Sequence, residues 1–205
     1  FMEPYRLSRQ LLKQVAEAGC RLIKFGVQHL DRRMLQAIGR GEEVEDVIDT
    51  LVYAAELGIK VSFDIIPGHP GETDEHHATN LKGLPQILTR SENLEANINP
   101  FLLLHGSPIE QRPDHYGVSI QRWTSSDFPS ELQEHMEECN GAFIRSYEQT
   151  PSLAVIERRT LELDELVQFS QFTKGYKGVS LRGLQEEKGS SATGGLCLLP
   201  SGGDT

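Results

Sequence analysis

Cysteine is scarce in this 205-residue chain. Cys20, Cys139 and Cys197 are far apart and odd in number, a pattern that fits a reduced, cytoplasmic setting better than a disulfide framework. Positive charge is also short: 20 Lys and Arg stand against 30 Asp and Glu, for a net charge of −10. A stand-alone nucleic-acid binder needs a basic stripe for phosphate contacts, so this balance argues against one, though not against RNA binding by a longer parent protein. No apolar run approaches the roughly 18 residues of a membrane span. No charged-then-apolar leader opens the chain, and with Phe at position 1 the start is expected to lie inside a longer protein or to have been processed. Ser–His–carboxylate, P-loop and dinucleotide fingerprints are all missing.

What is present is an ordinary globular composition, 38% hydrophobic with 19 glycines, in a chain long enough for one domain with a sizeable core. Between residues 7 and 18, Leu11, Leu12, Val15 and Ala16 recur at helical spacing, with Ser8 to cap the helix and Gly19 to end it. Residues 21–27 form a short strand. Asp31 then caps a short helix carrying Met34, Leu35 and Ile38 on one side, and Gly39 stops it. Val44, Val47, Ile48, Leu51, Val52 and Ala55 share the face of a helix over 44–57. Residues 60–66 form a second strand, and the loop PGHPGET leads into a helix starting near Asp74 that Pro85 is expected to end or kink. Residues 95–99 are a third strand. Strands separated by helices predict right-handed crossovers and adjacent parallel strands, so the fold class is α/β. Past residue 106 the pattern changes. Residues 107–127 read mostly as loop, and Leu132, Met136, Cys139, Phe143 and Tyr147 as a helical stripe. A weaker helix spans 161–172. The last 23 residues, from Gly183, contain 12 Gly, Ser, Thr or Pro and read as a flexible tail.

Parallel α/β folds carry function at the carboxyl ends of their strands. Gln28 ends the first strand. Asp64 lies in the second, ahead of Gly68, His69 and Glu72, and Asn97 and Asn99 end the third. Gln28, Asp64 and one of the asparagines can converge on one rim, where an amide and a carboxylate hydrogen-bond vicinal hydroxyls such as those of a ribose. Arg40, one helix beyond Gln28, can clamp a carboxylate with two N–H groups. Each has a plainer alternative: Gln28 and the asparagines can satisfy strand-end backbone groups, and Arg40 can be a solvated surface charge. Asp64 resists that reading, because its neighbours Val61, Phe63, Ile65 and Ile66 are apolar and an ionised carboxylate among them needs a partner. His76 and His77 beside Glu72, Asp74 and Glu75 suggest a metal, but adjacent histidines point about 100° apart on a helix, and no metal site is expected. Glu131, Glu134, Glu137 and Glu138 read as a solvated face.

The ordered segments AGCRLIKFGVQ, LQAIGRG, AAELGIKV, FDIIPGHPGET and NPFLLLHGSPI resemble the second half of a radical S-adenosylmethionine barrel, nearest its coproporphyrinogen-oxidase-like and cobalamin-binding branches. The resemblance covers about residues 7–108. It implies a partial (βα) barrel over residues 1–106, a mainly helical extension over 107–182 and a tail over 183–205. In that family the polar residue of GVQ and an aspartate in a DLI-type strand contact the ribose, and they match Gln28 and Asp64. An arginine soon after GVQ contacts the methionyl carboxylate, and it matches Arg40. The implied cofactors are S-adenosylmethionine and a [4Fe–4S] cluster, with cobalamin open for the parent protein. The implied activity is reductive cleavage of S-adenosylmethionine to start hydrogen abstraction from a small-molecule substrate, with these three as positioning residues.

Several departures accompany the resemblance. His29 and His69 stand where the family more often has small or apolar residues, and they are expected at the surface or, less so, facing substrate. The family's cluster-binding CxxxCxxC is absent. The cluster ligands are therefore expected on a missing amino-terminal half or a partner chain, and this chain alone is expected to be inactive. The rival readings are a degenerate, non-catalytic binding or scaffold module with the same half barrel, and an unrelated parallel α/β enzyme.

Overall fold

In the computed structural model, Ser8 is extended and its hydroxyl accepts from the Leu11 N–H at 3.1 Å, which satisfies an end group that the first turn of a helix leaves open. α1 (Arg9–Glu17) follows. The same device starts α2 (Arg32–Ala37), where Asp31 accepts from the Arg33 N–H, and α4 (Asp74–Leu88), where Thr73 and His76 exchange side-chain and backbone hydrogen bonds. α3 (Val44–Glu56) has no side-chain cap but carries Glu45 and Asp46 in its first turn, where negative charge suits the helix dipole. Gly19, Gly39 and Gly58 follow α1, α2 and α3 with positive φ, the conformation that ends a helix with least strain. The structure describes residues 7–133, 141 and 143–175. The described residues up to Ser170 form one compact unit.

Strands β1 (Leu22–Gln28), β2 (Lys60–Ile65) and β3 (Leu94–Ile98) pair in parallel in the order β1–β2–β3. Phe25 faces Phe63, Gly26 faces Asp64, and Asp64 faces Asn97 across the ladders. No further strand joins either edge among the described residues, so the sheet is an unclosed part of a (βα) barrel. Side chains alternate between its faces. Ile23, Phe25, Val27, Val61, Phe63, Ile65, Leu94 and Ala96 are buried in one core with Leu12 of α1, Leu51 and Ala54 of α3, and Leu84 and Leu88 of α4. Each large side chain so buried contributes roughly 1.5–3 kcal/mol relative to exposure. The opposite face presents Lys24, Gly26, Ser62, Asp64 and Asn97.

Pro85 neither ends α4 nor shortens it: the helix continues to Leu88. Proline removes one helix N–H donor. Leu84, Ile87 and Leu88, all at most 2% exposed, hold the last turn against the core.

Beyond residue 106 the expected loop is ordered. It contains α5 (Pro108–Gln111), a 3₁₀ turn (Pro113–Tyr116), β4 (Ser119–Arg122) and a second 3₁₀ turn (Ser125–Asp127). α6 (Ser130–Gln133) comes next. The expected helical stripe through Phe143 and Tyr147 is instead β5 (Ile144–Glu148), antiparallel to β4. A register irregularity opposite Gln121 and Arg122 inserts a residue in β5. It thereby lets Ile144 and Tyr147, three positions apart, pack against the same cluster of Phe101, Leu103 and Val118. The segment read as a helix because Phe143 and Tyr147 stand four apart, but Phe143 is exposed and precedes the strand.

α7 (Leu153–Gly175) starts eight residues before the expected helix and sends Leu163 and Val167 into the main core. Exposed Leu153, Leu161 and Phe169 blur its pattern. Met136, Cys139, Cys197 and the tail assigned to 183–205 lie outside the described residues. No helix among the described residues is long and apolar enough to cross a membrane.

Candidate functional site

The carboxyl end of β1 is irregular. Gly26 pairs with Asp64 but Gln28 pairs with Ile65, so β1 has one residue more than β2 there. Gln28 takes up the bulge with φ of +74°, in the left-handed region. Its amide turns back over Gly26: a Cβ at position 26 would lie 2.8 Å from Gln28 Nε2 and 3.7 Å from Arg40 Nη1. Gly26 therefore makes room for two functional groups at once. Arg40 reaches this place because α2 stops at Gly39 and the chain turns back toward the sheet.

Directly across the ladder from Gly26 is Asp64. Its side chain is 6% exposed, with Oδ1 3.3 Å from Lys24 Nζ and accepting from Asn97 Nδ2 at 3.1 Å. Asn97 also donates to Ser62 at 2.7 Å. The choice between the two asparagines thus falls on Asn97, since Asn99 is exposed. Gln28, Arg40 and Asp64 lie on one face of the sheet, about the Gly26–Asp64 pair.

Arg40 is no solvated charge. Its side chain is 14% exposed, and Nε donates to Glu42 Oε1 at 2.7 Å. Arg40 Nη2 and Glu42 Oε2 are buried without a hydrogen-bond partner among the described residues.

Next to Gln28 lies a cavity of about 350 Å³, lined by Ile66, His69, Phe101, Leu102 and Ser107 among others. It stands at the carboxyl ends of all three strands. Both histidines expected at the surface are buried. His29 is wholly inside, where Nδ1 accepts from the Asp31 N–H at 2.8 Å and Nε2 is 2.9 Å from Asn80 Nδ2. His69 is 6% exposed, its ring 5.2 Å from that of Phe101, and neither ring nitrogen has a partner among the described residues. Burial, aided by neighbouring His29 and Arg40 and opposed by Glu72, pushes its pKa down from 6.5 to about 4. His69 is therefore neutral at physiological pH.

Behind the cavity, Glu72 braces the PGHPGET loop. Its Oε2 accepts from the Gly68 N–H, and its Oε1 lies 3.5 Å from Arg159 Nη1. Burial alone would raise this carboxyl, but His29, the Gly68 N–H and Arg159 together hold it below the usual range. Arg159 also donates to the Glu72 carbonyl and to Asp74, and His77 pairs with Glu162 at 2.8 Å. Two residues of α7 thus fasten the loop and α4. Spacing gave no sign of these bonds, because Arg159 stands 87 positions from Glu72 in the chain.

Of the suspected metal pair, His76 caps its own helix and His77 serves this clasp. Among the described residues no group of three or more His, Cys, Asp or Glu is arranged to hold a metal ion. Cys20 lies before β1, at the opposite end of the strand, with its thiol 3.4 Å from the Leu22 carbonyl.

Residues 2–82 match the Radical SAM superfamily. Among curated proteins, the heme chaperone HemW of Bacillus subtilis is 28% identical over 130 residues, which cover 58% of this chain and 34% of HemW. The tRNA uridine(34) acetyltransferase of Methanocaldococcus jannaschii is 33% identical over 98 residues, 48% of this chain and 18% of that protein. The chain spans about a third or less of the length of the curated relatives it matches. A solved structure of TsrM from Kitasatospora setae, a radical S-adenosylmethionine methyltransferase with tryptophan and a S-adenosylmethionine analogue bound, superposes with a TM-score of 0.56 at 18% identity. It covers 80% of this chain and 34% of TsrM. At that identity the likeness is one of fold.

Proposed function

We propose that this chain is the carboxyl-terminal part of a radical S-adenosylmethionine catalytic domain, with residues 1–106 as the half barrel and the segment beyond as its extension. Gln28 and Asp64 hold the ribose hydroxyls and Arg40 the methionyl carboxylate. The [4Fe–4S] cluster belongs to a CxxxCxxC on a preceding segment or partner chain. The observation that carries this reading is the gathering of Gln28 and Arg40 over Gly26, opposite Asp64, with Arg40 Nη2 buried and unpartnered.

The residues present fit the cofactor. S-adenosylmethionine, when bound, supplies the carbon–sulfur bond whose reductive cleavage defines this reaction class. The residues of this chain bind and orient it. Arg40, fixed by Glu42 on its Nε edge, offers the rest of its guanidinium to a carboxylate. Asp64, steadied by Asn97 and Lys24, accepts from hydroxyls. The apolar walls of the adjacent cavity exclude water from the ligand. None of the three acts as an acid or base.

Calorimetric titration of S-adenosylmethionine into the anaerobically reconstituted protein tests the site. Asp64→Asn should weaken binding about 10- to 100-fold, the equivalent of a charge-assisted hydrogen bond of roughly 1.5–3 kcal/mol. Arg40→Lys should weaken it as well, because a point charge does not reproduce the planar fork. Wild-type affinity in both variants would overturn the assignment. Formation of 5′-deoxyadenosine by the 205-residue chain alone would overturn the placement of the cluster on another segment.

A further inference from the structure

The segment from Gln149 to Arg159 grips the PGHPGET loop at both of its ends. The Gln149 amide donates to the Gly68 carbonyl at 2.6 Å, and the Gly71 N–H donates to the Thr150 carbonyl at 2.7 Å. Ile156 occupies the space over Gly68, where a Cβ would come within 2.5 Å of it. One turn further along α7, Arg159 Nη1 donates to the Glu72 carbonyl at 3.2 Å and lies 3.5 Å from Glu72 Oε1. Its Nη2 donates to Asp74 at 2.9 Å. Arg159 and Glu72 are each 2% exposed. Taking both charges out of water costs free energy that an apolar pair would not. What the guanidinium adds is direction, since its planar N–H groups must meet a carbonyl and two carboxylates at once.

The same loop is tied to the candidate site. The Ile66 N–H, just ahead of it, donates to the Gln28 carbonyl at 2.8 Å, and the Phe101 N–H donates to the Pro67 carbonyl at 2.9 Å. Glu72 closes the loop on itself by accepting from the Gly68 N–H. Bonded groups therefore run without a gap from Arg159 through Glu72, Gly68 and Pro67 to Ile66 and Gln28. Gln28 has φ of +74°, and a residue with a side chain keeps such a backbone only where its surroundings impose it. The bond from Ile66 is part of that constraint.

We propose that Arg159 is a positioning residue: by fastening Glu72 it holds the loop, and through the loop Gln28, in the arrangement that receives a ribose. The inference rests on the proposed function. Arg159 touches no ligand and acts only through Glu72. The segment beyond the half barrel is thereby part of the binding machinery. Such coupling is reciprocal, so whatever factor the docked α7 adds to nucleoside affinity, the nucleoside returns to the docking of α7.

The test uses adenosine as the probe and the full chain, by calorimetry and by amide hydrogen exchange. Saturating adenosine should slow exchange in α7 about 5-fold or more beyond any slowing in α1, which makes no bond to the loop. Arg159→Met alone would strand the buried Glu72 carboxylate, so the variant of choice is Glu72→Gln with Arg159→Met, which removes both charges and keeps an acceptor for the Gly68 N–H. It should bind adenosine about 5-fold or more weakly than the wild-type chain and lose the added protection of α7. Wild-type affinity in the double variant, or equal slowing in α1 and α7, overturns the inference and leaves the ribose site standing, provided that Asp64→Asn weakens binding. Binding that Asp64→Asn does not weaken overturns the proposed function along with it. Should the double variant fail to fold, exchange in the wild-type chain decides.

Discussion

Phe25 and Gly26 are neighbours in β1 and belong to different molecules in all but name. Phe25 is fully buried against the helices, in register with Phe63. Gly26 faces the other way, opposite Asp64, with the Gln28 amide and the Arg40 guanidinium above it. One face of the sheet is filled with side chains that have only to exclude water. The other holds Lys24, Ser62, Asp64 and Asn97, whose bonds are mostly to one another. The pleat assigns these tasks by parity alone, so stability and ligand placement can be altered almost independently, one residue apart.

The contrast can be broken most strongly at Phe25. Phe25→Ala should cost about 3–5 kcal/mol of unfolding free energy, read from urea titration, because it leaves a cavity in a core with no polar group to rearrange. A loss under 1 kcal/mol would show that the two faces do not divide the work in this way.

Acid should produce the next largest effect, between pH 7 and 4 chiefly through His69. The His69 pKa is about 4 in the folded chain against 6.5 ordinarily. Its folded state therefore resists protonation, and the associated stability is fully present above pH 6.5 and falls as pH drops through 4, by about 3 kcal/mol in all. Asp31, held at about 2 by its bonds to Arg33 with burial opposing them, and Glu72, also held low, lose their contributions further toward acid. Chemical denaturation between pH 7 and 4 should show the slope, and His69→Leu should flatten it.

The smallest change in stability belongs to Gly26→Ala. The new methyl meets the end of the flexible Gln28 side chain, which can move, so unfolding free energy should change by less than about 1 kcal/mol. S-adenosylmethionine affinity should nevertheless fall, because the displaced groups are those the proposed site depends on. Unaltered affinity would separate Gly26 from that site.

Much of the half barrel was legible because its signals are local. Short apolar segments between helical patterns marked the strands, and Ser8, Asp31, Gly19 and Gly39 marked the helix ends. Gln28, Arg40 and Asp64 could be singled out because strand ends and a short return loop fix where residues can go. What stayed hidden depends on distant partners or on broken periods. The four-residue spacing of Phe143 and Tyr147 imitated a helix face, although Phe143 is exposed just before β5. Core contacts of Leu84 and Leu88 outweighed the lost donor at Pro85. His29 and His69 looked like surface residues because no local pattern reports that Asn80 of α4 meets the His29 ring or that Arg159 of α7 fastens the loop that carries His69.

The backbone of Gln28 has a consequence of another kind. Its φ of +74° costs a residue with a side chain on the order of 1–3 kcal/mol, whereas glycine adopts it without steric penalty. Gln28→Gly should therefore relieve backbone strain and, on the proposed function, exchange ligand affinity for that relief: unfolding read by urea titration and S-adenosylmethionine binding should move in opposite directions.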